Sequence, residues 1–260
     1  MSKQRKLPVK PKRVVIKVGS QLLVDNNGLR QIFIRKLAEQ IQQLRKQDIQ
    51  CILVSSGAIG CGKQFLHDCH QPLTLPEKQT AAAIGQTRLM QFYEKIFARR
   101  DIITAQILLT RDDLHEHQRH LNATHTLDCM LNHRILPIIN ENDTVSVDEI
   151  KFGDNDILSS LIAGLVHADA LIILSCIEGL LNKEHQRVSM ADLTDENIWG
   201  LIRTDKSELG TGGMQSKLTA AKTLADLGKF TVVANGNMPN VLLKIINNQD
   251  IGTLFLPTMK

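Results

Sequence analysis

The sequence predicts an α/β protein in which helices cover both faces of a mainly parallel sheet, a three-layer α-β-α sandwich. Short apolar segments rich in β-branched residues alternate along the chain with longer segments of helical periodicity. The chain has 260 residues, 43% of them hydrophobic, which is enough to bury a full core. No apolar run reaches membrane-spanning length, so no membrane partner is expected.

Seven short apolar segments are predicted to be the strands of this sheet, and they end where glycine or polar residues begin. They are residues 13–18, 51–54, 103–108, 135–139, 170–174, 231–234 and 253–256. Five helices are predicted between them, at residues 30–47, 77–99, 121–132, 154–166 and 215–227. Pro76 suits the first turn of the second helix, Asp154 suits the cap of the fourth, and Gly228 suits the end of the last.

Composition limits the classes of function. The net charge of +4 is mild and spread along the chain, and one Trp and one Tyr provide no stacking platform, so nucleic acid is not an expected partner. The basic, proline-containing start predicts a disordered leader over residues 1–12, before a single domain over 13–260.

The cysteines and histidines indicate neither disulfides nor a metal centre. Cysteines 51, 61, 69, 129 and 176 form no CxxC pair, which is typical of reduced thiols in a cytoplasmic protein, and no signal peptide is expected. Four histidines between residues 115 and 125 are interpreted as solvated helix residues, because no Cys or acidic residues complete a ligand set.

Polar clusters follow several predicted strands, where ligands of parallel sheets gather. They are Lys17-Val-Gly-Ser20, Ser55-Ser-Gly57, Asn140-Glu-Asn-Asp143 and, opening the fourth helix, Gly153-Asp-Asn-Asp156. A fifth cluster, Gly210-Thr-Gly-Gly-Met-Gln-Ser-Lys217, is a glycine-rich turn that runs into a helix with a lysine in its first turn. Glycine amides, the helix N-terminus and the ammonium together predict a polyphosphate cradle, although the pattern is neither a P-loop nor a dinucleotide fingerprint.

Taken together, these motifs resemble the glutamate 5-kinases of the amino acid kinase family. The resemblance runs from Val14 to about Phe255, and its most specific piece is Ile139-Asn-Glu-Asn-Asp143 followed by Lys151-Phe-Gly-Asp-Asn-Asp156. It implies ATP-dependent phosphorylation of the γ-carboxylate of L-glutamate, the first step of proline synthesis. In the implied arrangement the N-terminal part of the domain binds glutamate and the C-terminal part binds ATP.

The resemblance also assigns the catalytic charges. Lys17 and Lys217 would lie on either side of the transferring phosphoryl group, and Asp156 would hold them. Two ammonium groups about 4 Å apart repel by about 4 kcal/mol at an effective dielectric constant of 20, so a carboxylate is needed between them. The implied ATP contacts are Lys17, Gly19, Ser175, Cys176, Thr211, Gly212, Gly213, Met214, Gln215, Ser216 and Lys217. Mg²⁺ is expected to be held mainly by ATP phosphates and water.

For glutamate, the resemblance points to Ser56, Asp143 and Asn155, with Gly57 and Asn140 as further candidates. Asp143 suits the substrate ammonium, whereas Ser56, Asn155 and amides near Gly57 would donate to the α-carboxylate. Backbone amides at Gly19 and Gly57 would shield the phosphate oxygens.

The chain departs from the family pattern on the adenine side. Ser175-Cys176 stands where Thr-Asp is usual, Gly179-Leu-Leu181 replaces Gly-Leu-Tyr, and Glu184-His-Gln-Arg187 replaces an Asp-Pro-Arg segment. These departures leave open a non-catalytic homologue that binds glutamate or proline but has lost ATP. A sibling kinase with another acceptor is a second alternative.

The resemblance further implies regulation and partners. Residues 67–76 resemble a mobile segment over the amino acid site, where proline is expected to act as feedback inhibitor. Homo-oligomers and a glutamyl phosphate reductase are expected partners. Because the sequence stops at Lys260, a short form without the added PUA domain of many bacterial relatives is expected.

Overall fold

The computed structural model of the protein describes residues 5–26, 28–67, 70–145, 155–201 and 213–258. Within these ranges the chain forms ten strands and ten helices. The strands are β1 (Arg13–Val18), β2 (Val24–Asp25), β3 (Gly28–Leu29), β4 (Gln50–Val54), β5 (Thr104–Leu109), β6 (Leu136–Glu141), β7 (Ala170–Ser175), β8 (Met190–Ala191), β9 (Phe230–Asn235) and β10 (Thr253–Phe255). The helices are α1 (Ser20–Leu23), α2 (Gln31–Lys46), α3 (Ala58–Lys63), α4 (Leu75–Ala98), α5 (Arg111–His115), α6 (His117–Asn132), α7 (Asn155–Leu165), α8 (Glu196–Trp199), α9 (Met214–Asp226) and α10 (Val241–Ile246).

The central sheet has eight strands in the order β5-β6-β4-β1-β7-β9-β10-β8. The first six strands in this order, β5-β6-β4-β1-β7-β9, run parallel to one another. Strand β10 is antiparallel to β9 and parallel to β8. The predicted mainly parallel sheet is confirmed, and β1 lies at its centre between β4 and β7.

Helices cover both faces of this sheet, as the sequence predicts. One core cluster joins alternate strand residues to α1, α2, α4 and α10, and the other joins the intervening strand residues to α6, α7 and α9. In β1, Val14 and Ile16 belong to the first cluster and Val15 to the second. Because strand side chains alternate between faces, Lys17 lies on the side of Val15, which is the side of α7 and α9.

All seven predicted strands and five predicted helices are present, with bounds that differ by at most four residues within the described ranges. Gly228, at φ +72°, follows α9 as predicted. The predicted cap Asp154 lies outside the described residues. The elements that the sequence did not predict are short, such as α1, α3 and α10, which have four to six residues. Segments of that length contain too few turns for a helical period to be recognised.

The predicted disordered leader needs a correction for residues 5–12. Arg5 is 6% exposed, and its guanidinium donates to the carbonyl oxygens of Ile251 and Gly252, both at 2.9 Å. Arg5 also pairs with Asp250 at 3.2 Å. Arg5 therefore holds the leader against the segment just before β10, because its buried guanidinium finds acceptors there that offset part of its desolvation. Among the described helices, none has both the length and the apolarity needed to cross a bilayer.

Candidate active site

Two lysines from distant parts of the chain meet on one buried carboxylate. Lys17 Nζ lies 2.6 Å from Asp156 Oδ1, and Lys217 Nζ lies 2.9 Å from Asp156 Oδ2. Asp156 is fully buried, and the lysines are 3% and 4% exposed. The three groups bear one net positive charge, so the cluster is suited to receive an anion.

The fold explains why these residues meet. Lys17 lies near the carboxyl end of β1, in register with Val54 of β4 and Ile173 of β7. Asp156 and Lys217 lie in the first turns of α7 and α9, the two helices that pack on that face of the sheet. Two helix N-termini therefore face the same region, and their dipoles add partial positive charge to it.

Ser216 is a third group on the central carboxylate. Its hydroxyl donates to Asp156 Oδ2 at 2.9 Å and also lies 3.0 Å from the carbonyl oxygen of Gly213. Gly213 precedes α9 as its N-cap and is exposed. The start of α9 thus fixes the aspartate through both a hydroxyl and an ammonium, which orients the carboxylate towards Lys17.

A second polar cluster lies beside the first, at the carboxyl ends of β4 and β6. Asn155 Nδ2 donates to the carbonyl oxygen of Ser55 and to Ser56 Oγ, both at 2.9 Å, and to Asn140 Oδ1 at 3.1 Å. Asn140 is 1% exposed and Ser56 is 8% exposed. Asn155 and Asp156 are neighbours at the start of α7, so this cluster and the charged cluster share one helix terminus.

The turn between β4 and α3 depends on glycine. Gly57 caps α3 with φ +87°, and a Cβ there would lie 3.1 Å from Val24 Cγ2. Further along, a Cβ on Gly62 would come within 1.8 Å of the Ala81 carbonyl oxygen, and one on Gly85 within 1.8 Å of the Ala58 carbonyl oxygen. Helices α3 and α4 therefore pack backbone against backbone directly behind Ser56 and Gly57.

Comparison with known proteins gives the family. The model of the amino acid kinase family matches residues 12–235. A curated glutamate 5-kinase from Geobacter metallireducens is 46% identical over 95% of this chain and 68% of its own length. One from Clostridium acetobutylicum is 44% identical over 95% of this chain and 96% of its own length. This chain belongs to the amino acid kinase family.

Two solved structures show the same fold. A UMP kinase from Bacillus anthracis superimposes with a TM-score of 0.64 over 96% of this chain and 97% of its own, at 16% identity. A carbamate kinase from Giardia superimposes with a TM-score of 0.65 over 94% and 98% of the two chains, also at 16% identity. The resemblance to this family drawn from the motifs is confirmed, and so is the predicted fold class.

The structure assembles most of the site residues predicted from that resemblance. Lys17, Lys217 and Asp156 form one cluster, and Ser56, Asn140 and Asn155 form the adjacent one. Asp143 lies in the turn that follows β6 and is half-buried. Thr211 and Gly212 lie outside the described residues, as do residues 202–210.

Two predicted roles need correction. The Gly19 amide, expected to shield phosphate oxygens, donates to the carbonyl oxygen of Leu174 at 2.9 Å, because the β1–β7 ladder continues through it. Asn155 was expected to donate to the α-carboxylate of glutamate, but its NH₂ group already faces three acceptors of the protein. Its Oδ1 is buried and has no hydrogen-bond partner among the described residues, so the side chain presents an acceptor instead.

Ser175 and Cys176, two of the residues expected to contact the nucleotide, lie at the carboxyl end of β7. Ser175 ends β7 opposite Asn235 of β9, and Cys176 follows as an exposed thiol. Asn235 in turn donates to Glu178 at 2.7 Å. These side chains lie on the far side of β1 from Ser56 and Asn140, since β7 and β9 flank one side of the strand and β4 and β6 the other. The sheet order thus separates the predicted nucleotide side from the predicted amino acid side.

Among the described residues, no group of three or more His, Cys, Asp or Glu side chains is placed to hold a metal ion. A divalent ion carried in by nucleotide phosphates needs no such group, so the residues present are compatible with that mode of binding.

One residue of the site was not predicted. Gln86 of α4 accepts from Asn140 Nδ2 at 2.9 Å and is 9% exposed. The buried stripe of α4 includes Ala82, Gln86, Leu89 and Tyr93 at helical spacing. A glutamine within an otherwise apolar stripe was the available signal, because a buried polar side chain requires a partner.

Proposed function

We propose that this protein transfers the γ-phosphoryl group of ATP to the γ-carboxylate of L-glutamate, as the first step of proline biosynthesis. The buried Lys17–Asp156–Lys217 cluster carries the proposal, since two fixed ammonium groups face the end of the sheet where substrates of this fold class bind. The curated relatives named glutamate 5-kinase support this acceptor.

The reaction is one in-line displacement at phosphorus. A γ-carboxylate oxygen of glutamate forms a bond to the γ-phosphorus, the bond from that phosphorus to the β–γ bridging oxygen breaks, and ADP leaves with the electron pair. The carboxylate is ionised at neutral pH and needs no general base. Catalysis therefore consists of alignment and charge stabilisation, which the two lysines supply at the phosphoryl oxygens.

Glutamate is held by the cluster at β4 and β6. The unpartnered Asn155 Oδ1 and the carboxylate of Asp143 are acceptors for the substrate ammonium. Ser56 Oγ accepts from Asn155, so its own hydrogen can point to the α-carboxylate. In this proposal the γ-carboxylate would extend towards the two lysines.

ATP is proposed to bind at the carboxyl ends of β7 and β9 and at the start of α9, with its phosphates near Lys217. Mg²⁺ would be held mainly by the β- and γ-phosphates and would neutralise their charge. Residues 211–217 would contribute backbone amides and Lys217 its ammonium. This arrangement belongs to a single kinase domain.

The test is glutamate-dependent ADP release, with hydroxylamine added to trap the acyl phosphate as a hydroxamate. Glutamate should give both signals, whereas aspartate, carbamate, UMP and N-acetylglutamate should give neither. Turnover of another acceptor with none of glutamate would favour the sibling kinase. No ATP binding at all would favour the non-catalytic homologue.

Cysteine labelling tests the nucleotide side without requiring turnover. Cys176 and Cys129 are exposed, whereas Cys51 and Cys61 are buried. Burial raises the pKa of the Cys51 thiol to about 12 and also raises the pKa of Cys61, so both should label slowly. MgATP should slow alkylation of Cys176 and leave Cys129 unchanged. Equal rates with and without MgATP would contradict the proposed nucleotide side.

The same proposal includes feedback inhibition by proline, self-association of the chain and an enzyme that consumes the product. Proline would inhibit by competing near residues 67–76, the chain would form a homo-oligomer, and a glutamyl phosphate reductase would consume the labile product in the cytoplasm. Repeating the ADP-release assay with proline, and measuring mass in solution by light scattering, tests the first two statements directly.

A further inference from the structure

Three side-chain amides from three different elements form a continuous chain of hydrogen bonds, two of them buried and the third, Asn155, half-buried. Gln86 Oε1 of α4 accepts from Asn140 Nδ2 at 2.9 Å, and Asn140 Oδ1 of β6 accepts from Asn155 Nδ2 of α7 at 3.1 Å. The chain continues to Ser56, whose hydroxyl accepts from the same Asn155 nitrogen. It thus runs from the middle of a helix into the predicted amino acid subsite.

Backbone groups fix the direction of this chain. Asn140 Oδ1 also accepts from the backbone N–H of Glu141 at 3.0 Å, and a backbone N–H can only donate. Asn155 Nδ2 also donates to the carbonyl oxygen of Ser55, which can only accept. The Asn155 amide is thereby turned so that Oδ1 is buried without a hydrogen-bond partner among the described residues. Such an oxygen is a ready acceptor for a ligand donor.

We infer that Gln86 is a positioning residue for substrate binding, holding Asn140 so that Asn155 presents Oδ1 to the ammonium of the amino acid. The inference rests on the proposed function for the identity of that amino acid. Gln86 acts through Asn140 and does not itself contact the substrate.

The position of Gln86 is fixed by the backbone as well as by its side chain. Its neighbour Gly85 lies so close to Ala58 that an added Cβ would be 1.8 Å from the Ala58 carbonyl oxygen. This contact locks α4 against the turn that carries Ser56 and Gly57. Gln86 therefore presents its amide from a helix that cannot shift relative to the subsite without losing the close packing.

Loss of the Gln86 acceptor would leave the buried NH₂ group of Asn140 without its observed partner. A buried donor without a partner lowers its free energy by rotating or by moving towards water. Such a movement of the Asn140 side chain would break its contact with Asn155. The effect on the substrate is then indirect, and it should appear in amino acid binding more than in the phosphoryl transfer step.

The test compares three substitutions of Gln86 in the full chain. Gln86→Met keeps the length and removes the acceptor, and Gln86→Asn shortens the side chain by one methylene so that it no longer reaches Asn140. Both should raise the glutamate KM by about tenfold, with kcat and the ATP KM changed much less. Gln86→Glu retains an acceptor oxygen and should keep the glutamate KM within about threefold of the wild type.

Gln40 provides a matched control. It is a glutamine of α2 that is 6% exposed, and its Oε1 accepts from the backbone N–H of Leu242 at 2.9 Å. Gln40→Met makes the same chemical change at an equally buried position that belongs to the opposite side of the sheet from α7. It should lower the unfolding midpoint and leave the glutamate KM unchanged.

The outcomes separate the inference from the proposed function. A raised glutamate KM in Gln86→Met and Gln86→Asn, recovery in Gln86→Glu and no change in Gln40→Met support the inference. An unchanged KM in Gln86→Met and Gln86→Asn, or an equal rise in Gln40→Met, overturns it. If the wild type phosphorylates a different amino acid, the proposed acceptor is wrong and the KM for that amino acid decides the role of Gln86. Should the wild type bind no amino acid, both statements are overturned.

Discussion

The Lys217 ammonium lies 2.9 Å from Asp156 Oδ2, although the two residues are 61 positions apart in the sequence. Both residues are in the first turn of a helix, and the two helices pack side by side on one face of the sheet. Lys17 occupies the other oxygen of the same carboxylate. A single aspartate thus sets the positions of two cations that would otherwise repel each other.

Lys217→Ala should reduce kcat by about 10² to 10³, since the ammonium is required most as charge develops on the transferring group. The glutamate KM should change much less, because the amino acid contacts lie on other residues. Steady-state ADP release measures both constants. Lys222→Ala, on the same helix but paired with Asp226, is the control and should leave kcat unchanged. A large rise in the glutamate KM with normal kcat would contradict the catalytic assignment.

Asp156→Asn should lower both stability and activity. Two buried lysines would lose their shared counter-ion, and breaking a buried ion pair in this way costs about 3–5 kcal/mol of unfolding free energy. Urea unfolding measures the loss. Adding Lys217→Met to this variant removes one of the two like charges that repel each other. It should restore part of the free energy of unfolding without restoring turnover. A double variant less stable than Asp156→Asn would argue against charge repulsion as the cause.

Asp143→Ala should mainly raise the glutamate KM. Asp143 lies in the turn after β6, three residues beyond Asn140 in the chain, and its carboxylate would provide a negative charge for the substrate ammonium. Initial rates over a range of glutamate concentrations at saturating ATP give the KM. Asp143→Asn should raise the glutamate KM less than Asp143→Ala does. An unchanged glutamate KM in both variants would refute the ammonium assignment.

Gly62 and Gly60 both lie on α3, and replacing each with alanine should change the free energy of unfolding in opposite directions. Gly62→Ala should lower it and Gly60→Ala should raise it. A Cβ on Gly62 would overlap the Ala81 carbonyl oxygen at 1.8 Å, so α3 and α4 would have to separate. A Cβ on Gly60 would make an ordinary contact with Val24 at 3.5 Å, and the better helix propensity of alanine should stabilise by about 0.5–1 kcal/mol. Denaturant unfolding of both variants checks the signs, and a neutral Gly62→Ala would contradict the close helix crossing.

Glu77 should make the start of α4 sensitive to acid. Hydrogen bonds from His70, then from Thr74, lower the Glu77 pKa from 4.5 to about 2. Because the folded pKa is the lower one, this stabilisation is complete above pH 4.5 and is lost as the pH falls towards 2. Hydrogen exchange at the Thr74 amide, which donates to Glu77 at 2.7 Å, should be slower in the wild type than in Glu77→Gln near neutral pH. The difference should shrink through that acidic range, and a constant difference would contradict the role of the charge.

The motifs predicted much of the candidate site because its residues stand at the ends of strands and the starts of helices. Lys17, Asp156 and Lys217 could each be chosen from local sequence, and parallel strands bring such ends to one edge. Gln86 could not be chosen in this way, since it lies in the middle of a helix, far in sequence from Asn140. The corrected role of Asn155 has a similar cause, because the direction of its side-chain amide depends on acceptors in the β4–α3 turn and in β6.

The sequence by itself determined the order of strands and helices, the alternation that turns Lys17 to the face of Val15, and the glycines that permit the turns. Those properties depend on residues close together in the chain, through periodicity and backbone freedom. Only the tertiary structure decided which atoms are paired: both lysines on one carboxylate, the Gly19 amide in the ladder, and Arg5 buried against β10. Pairing of buried polar groups depends on distances between elements far apart in sequence, and the packing of the whole fold sets those distances.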